Sequence, residues 1–281
     1  TALVAVAVLL LAQTFRAVTL PVIEDVPIAL VNTPTVPGVS VSAIYAGRME
    51  SIGAFAYRGG SFGDTRVFGM GSILVRHPQG NLLFDTGFGK DVDEHIRSVP
   101  WLIRSTTKYT REQTVAEQLE AANIPLTDIS RIVLTHAHWD HVSGIPDLPG
   151  VQIMTSQEEA AFIESDDPAA ALVHSFEDLP VAPLNYREGP YLGFPNSFDV
   201  FGDGSVVMVP APGHTSLIKR PPAIGTETVY FDDAIPINAT GAIAILIPVF
   251  SCFPRASAAA RAIPSAIPAR LPARPMASAW R

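Results

Sequence analysis

The alternation of apolar and polar positions divides the chain into short strands that end in polar turns. Residues 67–75 and 80–84 predict two strands joined by a turn at His77, Pro78, Gln79 and Gly80. The second strand runs through Leu82, Leu83 and Phe84 into Asp85, Thr86 and Gly87, the composition of a tight turn at a strand's C-terminal end. Helical periodicity follows over 111–122. Val115, Leu119 and Ala122 share a face, Thr110 and Gln113 have capping-box spacing, and Asn123 with Pro125 stops the helix. Residues 129–134 predict a short buried strand that runs directly into Thr135 and His136. A further strand is expected at 151–155, a short acidic helix at 156–164, and a hairpin of 197–201 and 205–209 around Gly202, Asp203 and Gly204. The second hairpin strand leads to Ala211, Pro212, Gly213 and His214, and a last short strand at 229–231 ends at Asp232 and Asp233. Four apolar strands therefore each end in a polar turn bearing Asp or His. This layout predicts one site assembled from several strand ends, where αβ folds place their ligands.

The two ends of the chain depart from this pattern. Residues 2–12 are an uninterrupted apolar run, the length of a signal-peptide core and too short to span a bilayer alone. Signal peptide, stub of a membrane anchor and buried core strand are the competing readings. The first two point to a periplasmic, secreted or membrane-anchored protein, with membrane association through this leader. Residues 17–40 are rich in Pro and read as an extended linker after the leader at 1–16. The domain is expected to cover 41–234. In 235–281, Ala and Pro make up 20 of 47 residues and no acidic residue occurs. Prolines at that density interrupt helices, so this tail reads as a shifted reading frame or a disordered segment.

The tail also distorts the charge. The formal net charge is −8, yet 235–281 holds five Arg and no acid, leaving 1–234 with 14 basic and 27 acidic side chains. An acidic body argues against nucleic acid as a partner, because phosphate binding needs a clustered basic surface. The single cysteine, Cys252, excludes an intrachain disulfide, a multi-cysteine zinc site and an iron–sulfur cluster.

The candidate chemistry lies at His136, Ala137, His138, Trp139, Asp140 and His141. On an extended segment, His136 and His138 present both imidazoles on one face. Asp140 and His141 follow as the chain turns. A catalytic zinc takes three protein ligands and keeps one position for water. So short a segment cannot wrap four donors around one ion without strain, but it can feed two neighbouring ions, His136 and His138 to one, Asp140 and His141 to the other. His214, also at the end of an apolar strand, can complete a three-histidine set with His136 and His138. Asp233 is a candidate bridge between two ions, with Asp232 as its alternative. Asp85 is expected to orient a metal-binding histidine. The predicted activity is that of a hydrolase in which one or two zinc ions activate water against a small ester, lactone or similar acyl substrate, with Asp140 managing the proton. Residues 91–110, with Trp101, Ile103 and Tyr109, and residues 184–198 are candidate apolar lids over such a site.

Together, the stretch from Leu82 to Gly87, the stretch from Ile132 to His141 with Ser143 and Gly144, and the stretch from Val209 to Thr215 resemble the metallo-β-lactamase superfamily. The resemblance implies a four-layer αββα sandwich, two mixed β-sheets face to face with helices on both outer faces. It implies a first metal on His136, His138 and His214, and a second on Asp140 and His141 with Asp233 between them. It also implies a lactonase-like or thioesterase-like hydrolase acting on a small molecule. The chain departs from the family in three places. No His follows His214, so the second metal lacks its usual last ligand and impaired activity is expected. Ser216 and Leu217 replace the usual small pair, and the tail does not resemble closing helices. A di-iron oxidoreductase on the same fold and a non-catalytic, truncated or frameshifted product are the alternative functions.

Overall fold

The structure, a computed structural model, describes residues 36–56, 60–177, 179–191 and 194–210, the backbone of 243–246, and four single positions within the first twelve. Ten strands are described: β1 (Ser40–Ile52), β2 (Thr65–Arg76), β3 (Asn81–Phe84), β4 (Thr107–Arg111), β5 (Ile129–Val133), β6 (Ile153–Ser156), β7 (Val181–Leu184), β8 (Phe198–Asp199), β9 (Val206–Val209) and β10 (Ile243–Leu246). Between them lie short helices: α1 (Gly53–Ala56), α2 (Val92–His95), α3 (Trp101–Thr106), α4 (Val115–Ala121), α5 (Trp139–Val142), α6 (Gln157–Ile163) and α7 (Ala171–His174).

The strands form two mixed sheets. The larger has seven strands in the order β4-β1-β2-β3-β5-β6-β7, antiparallel from β4 to β3 and parallel from β3 to β7. The smaller has β9 between β8, antiparallel, and β10, parallel. Side chains of the large sheet alternate between two cores, as a period of two requires. Leu74, Leu83, Ile132 and Ile153 face Val115 and Leu119 of α4, Ile163 of α6, and Leu172 and Val173 of α7. Their sequence neighbours Val75, Leu82, Phe84, Val133 and Met154 face Val206 and Met208 of the small sheet. Helices, large sheet and small sheet are thus stacked in that order, the αβ architecture expected. A helix layer outside the small sheet would fall beyond the described residues, as do the expected strand at 229–231, most of the leader and linker, and the tail except the backbone of β10. Among the described residues no helix is long and apolar enough to cross a membrane.

The local expectations fare unevenly. The β2–β3 hairpin turns where predicted, with Gly80 N–H donating to the His77 carbonyl at 3.0 Å. The 205–209 strand, the 156–164 helix and the Asn123 stop, at φ 54°, are also present. The helix start is corrected. Thr110 lies in β4, paired with Arg48 of β1, and the helix begins only at Val115. Its capping box is formed by Thr114 and Glu117, with bonds of 3.2 and 2.8 Å in the two directions. Thr114→Ala, which removes one of these bonds and exposes the other, should lower stability by about 1 kcal/mol in chemical denaturation.

Candidate metal centre

Because β3, β5 and β6 run parallel, their C-terminal ends meet at one edge of the large sheet, and the polar turns after them meet there too. After β3 the chain turns at Asp85 with φ 57°, then at Gly87 with φ 58°. A Cβ on Gly87 would stand 2.6 Å from the Gly71 backbone, so only glycine permits this approach. The turn is locked to the segment after β5. Thr86 donates to the His141 carbonyl from both its N–H, at 2.9 Å, and its hydroxyl, at 2.7 Å. Gly144 N–H donates to Thr86 Oγ1 at 3.1 Å.

His136 lies three residues beyond the end of β5, and His138, at φ −72° and ψ 152°, is the residue preceding α5. Asp140 and His141 lie in the first turn of α5, which folds His141 back over His136. The ring centroids of His136 and His141 are 4.0 Å apart, and those of His136 and His138 are 4.7 Å apart and nearly perpendicular. His136 is buried at the centre of the three. Asp140 Oδ2 lies 3.6 Å from His141 Nε2.

Asp85 anchors this cluster. Its carboxylate accepts from Thr135 N–H and Thr135 Oγ1–H, each at 2.8 Å, and from His141 Nδ1–H at 2.8 Å. With its hydrogen given to Asp85, Thr135 Oγ1 accepts from His136 Nδ1 at 3.0 Å. Both histidines are therefore held through Nδ1, one directly and one through Thr135, so that Nε2 would be the nitrogen to meet an ion. That is the usual support for a metal-binding histidine. Thr135 was not singled out from sequence. Its position beside His136 carried no signal until Asp85, fifty residues earlier, came into contact with it.

The electrostatics divide the histidines. For His141, burial pushes the pKa down, but the carboxylates of Asp85 and Asp140, the Asp85 hydrogen bond and Glu159 outweigh it and raise it to about 9. His138 moves the other way, because burial and the neighbouring His141 lower its pKa against the pull of Asp140 and Asp167. A neutral imidazole is the form a metal ion takes.

Among the described residues, no three His, Cys, Asp or Glu side chains converge on a single point that would hold an ion. The structure brings His136 close to both His138 and His141, and His141 close to Asp140. The residues expected to complete the ligand sets, His214 and Asp233, and the alternative Asp232, lie outside the described residues. In chemistry the donor set fits zinc, with imidazole nitrogens steadied from behind and carboxylates alongside.

A second layer of contacts ties the 91–111 segment to the cluster. Trp139 stacks on Phe88 at 5.3 Å and meets Tyr109 edge-on at 6.2 Å. Ser143 Oγ accepts from Gly89 N–H at 3.1 Å and lies 2.9 Å from His95 Nδ1. On α3, Trp101 (71% exposed), Leu102 and Ile103 present an apolar surface to solvent.

A family model for the metallo-beta-lactamase superfamily matches residues 71–218, just over half of the chain. A probable metallo-hydrolase of Mycobacterium tuberculosis is 31% identical over 151 residues, 51% of this chain and 48% of that protein. The N-acyl homoserine lactonase AttM of Rhizobium radiobacter is 25% identical over 163 residues, 53% of this chain and 59% of that one. The chain thus spans about half the length of these curated relatives. A solved structure from a study of how mutations contribute to the optimisation of new enzyme function aligns with a TM-score of 0.51 at 17% identity. It covers 63% of this chain and 67% of that one, a likeness of fold alone. The matched region runs from β2 through β9 and takes in Asp85, the histidine cluster and His214, and on that match the chain belongs to the metallo-beta-lactamase superfamily.

Proposed function

We propose that the protein is a zinc-dependent hydrolase that opens a small ester, lactone or similar acyl substrate. The observation that carries this reading is the gathering of His136, His138, His141 and Asp140 at the strand ends, with Asp85 holding His141 directly and His136 through Thr135, each by its Nδ1 atom. His136 and His138 with His214 would hold one ion, and Asp140 and His141 with Asp233 a second. A zinc ion there would supply Lewis acidity and would lower the pKa of a water molecule toward about 7. The chain's own groups do the rest. Asp85 fixes the His141 ring so that Nε2 faces Asp140. Asp140 orients the attacking water, takes its proton on a carboxylate oxygen and returns it to the leaving oxygen of the substrate. The buried base of the cluster limits bulk water around these groups, which strengthens each interaction.

Two features favour an acyl substrate. One is the lactonase among the relatives. The other is the apolar surface of α3, whose segment is tied to the cluster through Tyr109 and His95. Trp101→Ala should raise KM for a long-chain ester or lactone about tenfold, ~1.4 kcal/mol, and leave a short-chain analogue unaffected, as read from paired saturation curves. The apolar run at 2–12 supports action outside the cytoplasm.

The reading is tested by elemental analysis of purified protein together with turnover of a panel of lactones and esters before and after chelation. One to two zinc per chain and loss of turnover on chelation are expected. Iron in place of zinc, or turnover indifferent to chelator, would refute it.

A further inference from the structure

Glu159 lies at the third position of α6 and is only 5% exposed, yet it carries an ionisable carboxyl group. Its placement follows from the β6–α6 corner. Ser156 Oγ accepts Glu159 N–H at 3.1 Å and starts the helix there, next to the parallel strand β5. From this corner Glu159 Oε1 accepts the Ala137 N–H at 2.7 Å. Ala137, fully buried, is the residue between His136 and His138. The same corner holds the chain at two further points: Thr155 Oγ1 donates to the Leu134 carbonyl at 3.0 Å, and the Phe162 ring meets the His138 ring at 6.1 Å.

We propose that Glu159 is a positioning residue for the ion-binding histidines: its carboxylate holds the Ala137 amide and fixes the backbone between His136 and His138, so that both rings address one cation. The proposal rests on the metal-binding role assigned to those histidines above. The step from His136 to His138 lies outside any strand or helix and can rotate about its central residue, and such a rotation would swing the two imidazoles apart. The Ala137 amide is the central group of that step, and a charge-assisted bond to a buried carboxylate is a strong restraint on it.

The test compares full-length wild type with Glu159→Ala, Glu159→Met and Glu159→Gln. Zinc affinity is measured by competition with a chromophoric chelator, and melting temperature is measured with and without zinc. Glu159→Ala and Glu159→Met, the second of which fills the space without an acceptor, should each weaken zinc binding about 10–100-fold and shrink the zinc-induced rise in Tm. Glu159→Gln keeps an acceptor for Ala137 and should recover more than half of the lost affinity on a logarithmic scale. Wild-type zinc affinity in a folded Ala or Met variant overturns the proposal, as does a fall in Tm that is equal with and without zinc, the mark of a purely structural role. A wild-type chain that takes up no zinc refutes the metal-binding reading itself, and the proposal falls with it.

Discussion

His138→Ala is expected to abolish zinc-dependent hydrolysis, with turnover lower by on the order of 10³-fold. Loss of a residue that merely supports a ligand costs 10–100-fold in affinity, and a direct ligand costs more. The fall should come from lost ion binding. His138, itself extended, directly precedes α5 next to Phe162, and burial lowers its pKa, which favours the neutral form. At a zinc concentration about a hundredfold above Kd, the wild-type fold should gain about 2.7 kcal/mol from binding. His138→Ala should gain almost none of this while its zinc-free melting stays close to wild type. Unchanged zinc stabilisation in this variant would remove His138 from the site.

Asp85→Ala should be the most damaging single change to the fold around the cluster. It removes an acceptor for Thr135 N–H, Thr135 Oγ1–H and His141 Nδ1–H together. It also takes from His141 the carboxylate that does most to raise its pKa. A buried donor left without its acceptor costs about 1–3 kcal/mol, so with three left at once a loss of about 3 kcal/mol or more is expected in urea denaturation. Alanine is also strained at φ 57°, a conformation that Asn tolerates. Asp85→Asn should therefore lose roughly half as much as Asp85→Ala, and the difference between the two separates backbone strain and hydrogen bonding from charge. Both variants should hold zinc less tightly, because His136 and His141 lose a common support.

The contrast between what was readable in the sequence and what was not follows the range of the interactions. Where a strand, a turn and the chemistry occupy adjacent residues, the pattern is local and legible. Leu82 to Phe84 running into Asp85, and Ile132 to Leu134 running into Thr135 and His136, are such cases. The helix start was misplaced because Thr110 and Gln113 satisfy the same local spacing as Thr114 and Glu117. What decides between them is the pairing of Thr107–Arg111 with β1, some sixty residues earlier, which claims Thr110 for a strand. Thr135 and Glu159 were passed over for the same reason. An acidic residue on a short helix reads as a solvated face until the neighbouring strand brings the Ala137 amide within reach.

Trp139 stands between His138 and Asp140 in the chain, its indole clasped by Phe88 and Tyr109. The protein therefore carries an intrinsic fluorophore within the proposed metal site, flanked in the chain by an imidazole and a carboxylate that would change its quenching on binding an ion. Trp101 is open to solvent and Trp280 lies outside the described residues, so with Trp101→Phe and Trp280→Phe the remaining emission would follow the cluster without any attached label.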